Sequence, residues 1–300
     1  GDLCGFRHDS LDESPKRGNF QNPTCASSDS IDFAAKKPSV MVRVGTYPWD
    51  DSKLPRGAVS SDGGISWTQF GSEPAGSNGS GITAISADGA AILWAARDAR
   101  PARSTDHGAT WVQIKGLPDP VKVPDWANIG LRLASDRVNP NRFYAFDLLA
   151  GRAYVSKDGG ANFEFTTGVL TALPEYNLVV GSMQAVPGLE GHVWVTAGKE
   201  LFFSTDGAQT FSEAPNVEES YAVGFGLAAP GKPYPTLYLS GKVSGVSGFF
   251  RSDDQGANFA RINDDAHQYG GSNLIIGDPR VHGRVYIAPG GRGILYGEPR

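Results

Sequence analysis

Five aspartates recur inside one short string, and carboxylates repeated at such regular intervals could bind calcium or contact a substrate. The shared pattern is Ser-x-Asp-x-Gly-x-(Ser/Thr/Asn)-(Trp/Phe), and the aspartates are 44, 52, 48 and 48 residues apart. The copies are "SSDGGISW", "STDHGATW", "SKDGGANF", "STDGAQTF" and "SDDQGANF", which contain Asp62, Asp106, Asp158, Asp206 and Asp254. Only the fourth copy departs from the pattern, because Ala208 occupies the glycine position.

A structural interpretation of this motif is stronger than a chemical one. The aspartate can accept backbone N–H groups across a turn, and the glycine can supply a positive φ. The aromatic ring can pack between neighbouring elements. We therefore predict five structural Asp-box hairpin turns rather than five calcium or substrate sites.

Other reactive residue types show no useful pattern. The five histidines lack the spacing of metal ligands, so no metal site is predicted. No Ser-His-Asp arrangement can be argued from the sequence. The string "GGRG" at 290–293 lies in a turn between predicted strands, without the following helix that a phosphate-binding loop needs. No cofactor is expected.

Composition limits the class of protein. The chain has 300 residues, 40% of them apolar, and a net charge of −5. Its lysines and arginines are scattered, which argues against a nucleic-acid partner. No run approaches the eighteen or so apolar residues of a transmembrane helix, so no membrane association is predicted. The opening "GDLCGFRHDS" is no signal peptide, and we interpret the chain as mature or truncated material.

The motif spacing indicates the architecture that positions these residues. A repeat of about 48 residues with short strands and turns is typical of a β-propeller, with one four-stranded sheet, or blade, in each repeat. Blades are predicted at 30–70, 82–115, 127–167, 177–215, 222–262 and 273–296, the last without a fourth strand. Residues 1–25 are predicted to form an incomplete first blade. We therefore predict one all-β domain over 1–300, a seven-bladed propeller. Because an unpaired edge is a liability, further polypeptide is expected before Gly1.

The face opposite the motif turns is predicted to carry the binding residues. Strand direction alternates within a blade, so that face holds the loops between second and third strands and the crossovers between blades. Its long segments are 46–57, 117–128, 170–177, 216–222 and 263–273. Their aromatic rings could stack on sugar rings or could plug each loop against its neighbour. The candidate substrate-binding residues are Tyr47, Trp49, Trp126, Tyr176, Tyr221, His267 and Tyr269.

Two features are relevant to a secreted protein. Cys4 and Cys25 lie 21 residues apart, and a disulfide between them would suit an oxidising compartment, whereas the alternative is two buried thiols. Asn78-Gly79-Ser80 is the one usable glycosylation sequon, since Pro23 spoils the sequon of Asn22.

Three segments of the chain resemble a known family, and the two at its ends are specific. The segments are "GDLCGFRHDSL", "DFAAKKPSVMVRVG" and "DDAHQYGGSNLIIGDPRVHGRVYIAPGGRGILYGEP". Together with the motif repeats and their order, they resemble the second propeller of glycoside hydrolase family 74, the xyloglucan-cleaving β-1,4-glucanases. The resemblance covers essentially the whole chain. The repeated turn alone is less specific, because sialidases and sorting receptors share it.

The resemblance implies that two propellers each contribute to catalysis. The family has two tandem seven-bladed propellers with a cleft between them, and each supplies one catalytic aspartate from an Asp-x-x-Gly loop. Asp2-Leu3-Cys4-Gly5 matches the loop of the second propeller, which implies that Asp2 is the general acid. Cys4 stands where a second glycine is common. The first propeller, which carries the general base, has no counterpart in this sequence.

Three functions are compatible with these observations. The leading hypothesis is one half of a secreted, inverting endo-xyloglucanase, inactive without its N-terminal propeller and acting on xyloglucan or a related β-glucan. The alternative is a lectin-like propeller that binds carbohydrate without cleaving it. A sialidase is the third, although its arginine triad and Arg-Ile-Pro string are not visible. Should Asp2 not be the acid, the next candidates are Asp125, Asp264 and Asp265.

Overall fold

The computed structural model describes residues 4–46, 55–121, 130–170, 181–290 and 293–299. Within these ranges the regular secondary structure is entirely β. They contain no helix long and apolar enough to cross a membrane.

Twenty-three strands form six sheets, which we number in chain order. Sheet 1 contains β1 (Ser28–Ala34), β2 (Lys37–Gly45), β3 (Gly57–Ser60) and β4 (Thr68–Gln69). Sheet 2 contains β5 (Ile82–Ile85), β6 (Ile92–Ala95), β7 (Ala102–Ser104) and β8 (Val112–Gln113). Sheet 3 contains β9 (Leu131–Ser135), β10 (Phe143–Asp147), β11 (Arg152–Ser156) and β12 (Glu164–Val169).

The remaining strands repeat this arrangement. Sheet 4 contains β13 (Ser182–Ala185), β14 (Val193–Thr196), β15 (Leu201–Ser204) and β16 (Ser212–Glu213). Sheet 5 contains β17 (Val217–Gly226), β18 (Thr236–Val243), β19 (Val246–Ser252) and β20 (Ala260–Arg261). Sheet 6 contains β21 (Ser272–Gly277), β22 (Val285–Pro289) and β23 (Leu295–Gly297). Strands that follow one another in the chain are neighbours in every sheet, and sheet 6 has three strands.

The chain divides into two compact units, each with its own apolar cores. Unit 1 comprises 1–145 and 154–165, and unit 2 comprises 146–153 and 166–300. Trp94, Ile92 and Phe70 pack in a core of unit 1, and Trp194, Leu237 and Phe250 pack in a core of unit 2. The second strands of sheets 2 to 5 are buried along almost their whole length, as expected for strands covered on both faces.

The predicted number of blades is wrong, because the described residues form six sheets rather than seven. Each of the six predicted blade intervals matches a sheet to within five residues at either end, but residues 4–27 contain no strand. This segment is polar, and Pro15 and Pro23 interrupt it, so it offers no alternating apolar run to pair. It is held by a disulfide and by side-chain contacts instead. The segment 216–222, which was predicted to be a loop, is instead mostly strand, because β17 begins at Val217.

The motif forms the turn between the third and fourth strands, as shown by its copy in sheet 1. The Asp62 carboxylate accepts the backbone N–H groups of Ile65 and Ser66, and the Ser66 hydroxyl donates to it at 2.6 Å. The Ser60 hydroxyl donates to Asp62 at 2.8 Å and accepts the N–H of Gly64 at 2.9 Å. The turn is therefore closed by its own residues.

The glycine position of the motif needs a left-handed backbone. Gly64, Gly108, Gly160 and Gly256 have φ between 78° and 86°, and Ala208 has a φ of 64°. The space around this position differs between copies. A Cβ on Gly108 would lie 2.2 Å from the Phe70 ring, whereas one on Gly64 would meet nothing closer than 3.6 Å.

We predict that the same substitution destabilises the protein by different amounts at these two glycines. Gly64→Ala should lower the free energy of unfolding by about 1–2 kcal/mol, the cost of a left-handed alanine. Gly108→Ala should cost about 1–3 kcal/mol more, because its methyl group also displaces Phe70. Denaturant unfolding of both variants checks this, and equal losses would contradict the role of inter-sheet packing.

The motif aspartates also predict a pH dependence of stability. The Ser66 hydroxyl and N–H lower the pKa of Asp62 to about 2, and Thr110 does the same for Asp106. A folded pKa below the unfolded value of 3.8 stabilises the fold above pH 4 or so, and this stabilisation is lost as the pH falls to about 2.

Asp62→Asn should therefore lower the melting temperature at pH 5 but much less at pH 2. Asp106→Asn should behave in the same way, because its hydrogen bonds are equivalent. Thermal unfolding from pH 2 to pH 5 measures the difference, and a pH-independent penalty would refute the explanation.

Candidate functional site

The N-terminal segment that follows Asp2 is covalently fixed. Asp2 itself lies outside the described residues. Cys4 and Cys25 form a disulfide with a Cα–Cα distance of 4.6 Å, and both are buried. The backbone two residues beyond Asp2 is thus tied to the residues that precede β1.

Arg43 on β2 anchors the same segment. Its guanidinium is 1% exposed and donates to the backbone oxygens of Gln21 and Pro23 at 2.9 and 2.6 Å. It also lies 4.9 Å from the centre of the Trp67 ring and 2.9 Å from the Cys4 sulfur. Burial lowers the pKa of Arg43 to about 10. Sequence reasoning missed this residue, whose only signal was a charge inside the apolar run "VMVRVG".

Most of the predicted aromatic residues cannot be placed. Tyr47, Trp49, Trp126 and Tyr176, together with Asp125, lie outside the described residues. The three remaining candidates, Tyr221, His267 and Tyr269, are all in unit 2.

His267 and Tyr269 lie on one loop at the rim of a groove. The Nδ1 atom of His267 is 2.6 Å from the Asp264 carboxylate, which also accepts the His267 backbone N–H at 2.9 Å. The bond to His267 lowers the pKa of Asp264. Tyr269 has a φ of 53° and packs on the apolar cluster of Phe249 and Ile287. Positive φ is rare for so bulky a residue, and such backbone strain concentrates at binding sites.

The groove beside this loop has a volume of about 600 Å³. Its floor is apolar and includes Phe249, Val285 and Ile287. Its rim carries polar side chains, including Arg261 and Asn263. An apolar surface edged by a few polar groups suits a ligand with one apolar face and several hydroxyls.

Tyr221 is not among the residues that line this groove. It lies at a bulge in β17, where the register shifts between Ser220 and Ala222. Its hydroxyl donates to Glu219, and burial and that bond raise the pKa of Tyr221 to about 12. The structure therefore brings His267 and Tyr269 together but does not place Tyr221 with them.

Two partly buried carboxyls in unit 1 were missed by sequence reasoning. Burial raises the pKa of Asp29 and of Glu73. Glu73 lies 3.4 Å from the buried Arg56 guanidinium. Asp29 follows the disulfide by four residues and lies on β1. No local pattern marks either residue, since their burial depends on contacts far along the chain.

Two remaining predictions concern the glycosylation sequon and metal binding. Asn78 is exposed, and its backbone and side-chain N–H groups donate to Asp98. In the part of the chain that the structure describes, no group of three or more His, Cys, Asp or Glu residues could hold a metal ion.

Comparison with known proteins gives whole-length matches. A xyloglucanase from Paenibacillus sp is 45% identical over the whole chain, and one from Acetivibrio thermocellus is 44% identical. The crystal structure of the GH74 xyloglucanase from Xanthomonas campestris matches the whole chain at 37% identity, with a TM-score of 0.86. No protein-family model matches the chain.

The chain matches only part of the length of each of these proteins. The chain spans 28% and 33% of the two relatives and 41% of the solved structure. The sheets described above are thus blades of a β-propeller like one found in that enzyme. The resemblance noted in the sequence is confirmed: over its whole length the chain is similar to one region of glycoside hydrolase family 74 xyloglucanases.

Proposed function

We propose that the chain is the second, C-terminal propeller of an inverting endo-β-1,4-glucanase that degrades xyloglucan. The observation that carries this proposal is the pair of whole-length identities of 45% and 44% to proteins named xyloglucanases. Because the chain spans only 28% and 33% of them, the rest of the catalytic cleft is assigned to polypeptide outside it.

The proposed chemistry needs two carboxyl groups. In an inverting glycosidase, one carboxylic acid protonates the leaving oxygen while a carboxylate roughly 6.5–9.5 Å away activates water. We assign the acid to Asp2 and the base to the first propeller. A cleft between two domains can hold that separation, and neither half alone contains both groups.

The anchored N-terminal segment supports the assignment of Asp2. A general acid must be held close to the leaving oxygen, and small misplacements lower the rate steeply. The Cys4–Cys25 disulfide and the Arg43 hydrogen bonds hold the backbone two residues from Asp2. The backbone that follows the proposed acid is therefore held in place.

The rim loop in unit 2 is proposed to bind the polysaccharide. Tyr269 can stack on the apolar face of a sugar ring, and Asp264 and His267 can bond to hydroxyl groups. Xyloglucan or a related β-glucan is the proposed ligand. A secreted location is also proposed, and the disulfide supports it because such bonds persist in oxidising compartments.

One prediction of this proposal concerns activity. The isolated chain should not release reducing ends from xyloglucan, whereas its complex with the first propeller should. Each general acid or base typically contributes about 10²–10⁴-fold, so a chain without the base should retain only a trace. In the complex, Asp2→Asn should abolish turnover and preserve binding, since the amide keeps the shape but has no transferable proton.

The matched control is Asp9→Asn, the same substitution at an exposed aspartate of the same segment. It should leave turnover unchanged. Robust hydrolysis by the isolated chain or by the Asp2→Asn complex would overturn the assignment and redirect the search to Asp29, Glu73, Asp125, Asp264 and Asp265. Binding without hydrolysis in every arm would favour the lectin-like alternative.

Another prediction of this proposal concerns binding by the groove loop that carries His267 and Tyr269. Tyr269→Ala should weaken the binding of xyloglucan oligosaccharides to the isolated chain by about 1 kcal/mol, roughly fivefold, as expected for a lost aromatic contact. Tyr269→Phe should bind nearly as well as the native chain, because it keeps the ring. Calorimetric titration measures both variants. Unchanged affinity in Tyr269→Ala would show that the ring only packs its own loop.

A further inference from the structure

A bulge in β1 singles out one carboxyl beside the N-terminal segment. Ser28 pairs with Gly45 of β2 and Ser30 pairs with Val44, so Asp29 is an extra residue with no partner opposite it. A β-bulge interrupts the alternation of side chains along a strand. Bulges are frequent next to active sites, where they re-aim a side chain. The bulge therefore sets the direction of the Asp29 carboxyl.

The same bulge is bonded to the segment that follows the proposed acid. The Ser28 hydroxyl donates to the backbone oxygen of Cys4. It also lies 3.8 Å from the Cys4 sulfur and 3.7 Å from the Cys25 sulfur. Two residues of backbone separate Cys4 from Asp2, and they span about 7 Å at most. The bulge is thus fixed directly to the backbone that leads to Asp2.

One oxygen of the Asp29 carboxyl has no donor. Its Oδ2 atom is buried and has no hydrogen-bond partner among the described residues. Burial raises the pKa of Asp29, whereas a bond from the Ser80 side chain and the charge of Arg97 act in the opposite direction. A buried acceptor that stays unsatisfied destabilises a protein, so each such atom in a native structure needs an explanation.

Ser80, which faces this carboxyl, has a strained backbone. It is buried and has a φ of 61°, a left-handed value that is uncommon for residues other than glycine. Its N–H donates to the Gly45 oxygen at 2.7 Å, and its own oxygen accepts the Trp94 indole N–H at 2.7 Å. Sheets 1 and 2 therefore both hold Ser80 in place beside Asp29. Backbone strain of this kind concentrates at functional sites.

Glu73 shows what a purely structural carboxyl looks like in the same unit. It too is partly buried, and burial raises its pKa. Both of its oxygens face Arg56, since one accepts the Arg56 backbone N–H and the other lies 3.4 Å from the guanidinium. An ion pair thus explains Glu73. No contact among the described residues explains the second oxygen of Asp29.

We propose that Asp29 is a positioning residue for the general acid assigned to Asp2. In the enzyme without substrate, its Oδ2 atom accepts a charge-assisted hydrogen bond from the protonated Asp2 carboxyl. This bond holds the acid and its proton ready. When the substrate binds, the leaving oxygen replaces Asp29 as the acceptor and takes the proton, so Asp29 neither gains nor loses one. The inference rests on the proposed function, because it requires Asp2 to be the acid.

The test is a double-mutant cycle in the complex of the chain with the first propeller. The substrate is a phenyl glycoside of a xyloglucan oligosaccharide, whose leaving group needs a proton. Asp29→Asn should lower kcat/KM by about 10–100-fold in the native background, because a misplaced acid donates its proton poorly. In the Asp2→Asn background it should have no further effect, since no acid remains to be positioned. An equal loss in both backgrounds would show a structural role and overturn the proposal.

Glu73→Gln is the matched control, an amide substitution at a partly buried carboxyl of the same unit. Any loss that it causes should be the same in both backgrounds. Thermal melting shows whether each variant folds. Should Asp29→Asn fail to fold, Ser80→Gly takes its place, because glycine accepts the left-handed backbone and lacks the hydroxyl that faces Asp29. Ser80→Gly should lower kcat/KM in the native background alone, and an unchanged rate would contradict the proposal.

The same cycle separates this inference from the assignment of Asp2. Full activity of Asp2→Asn alone would remove the proposed acid and the role of Asp29 with it. A strongly impaired Asp2→Asn beside a fully active Asp29→Asn would overturn only the role of Asp29.

Discussion

One hydrogen bond, from the N–H at the glycine position to the motif serine hydroxyl, underlies the repeated architecture. It measures 2.8–3.0 Å in all five copies, from Gly64 to Ser60 through Gly256 to Ser252. It holds the left-handed residue where it can contact the neighbouring sheet. Gly108 lies on Phe70, and Gly256 lies on Trp194, too close for any Cβ. The bond therefore couples a local turn to packing between sheets.

Sheet 1 and sheet 6 lack this packing of a motif turn on a neighbouring sheet. At sheet 1, the segment 4–25 packs on the motif ring, and Phe20 meets Trp67 edge-to-face at 5.3 Å. Arg43 lies over both rings and binds the segment's backbone. At sheet 6, the motif itself is absent and a groove remains. The segment that follows the proposed acid lies at the first of these two positions.

The sequence predicted the features that depend on local interactions. The motif turns and the six sheets were foreseeable because Ser60, Asp62 and Ser66 bond within seven residues of one another. His267 and Tyr269 were selected because a long aromatic loop stands out from the repeat, and their role in binding stays a prediction. The prediction of a seventh blade was wrong because residues 4–27 are held by Arg43, which is distant in sequence, rather than by strand pairing. The partly buried carboxyls of Asp29 and Glu73 were missed for the same reason, since desolvation depends on tertiary contacts.

The central claim is that Asp2 delivers a proton to the leaving oxygen, and its most direct test varies the need for that proton. The measurement compares Asp2→Asn with the native two-propeller enzyme on aryl glycosides of a xyloglucan oligosaccharide. With a poor leaving group such as phenol, the variant should be slower by about 10²–10⁴-fold. With dinitrophenol, which departs without protonation, the difference should nearly vanish. An equal loss on both substrates would contradict the account.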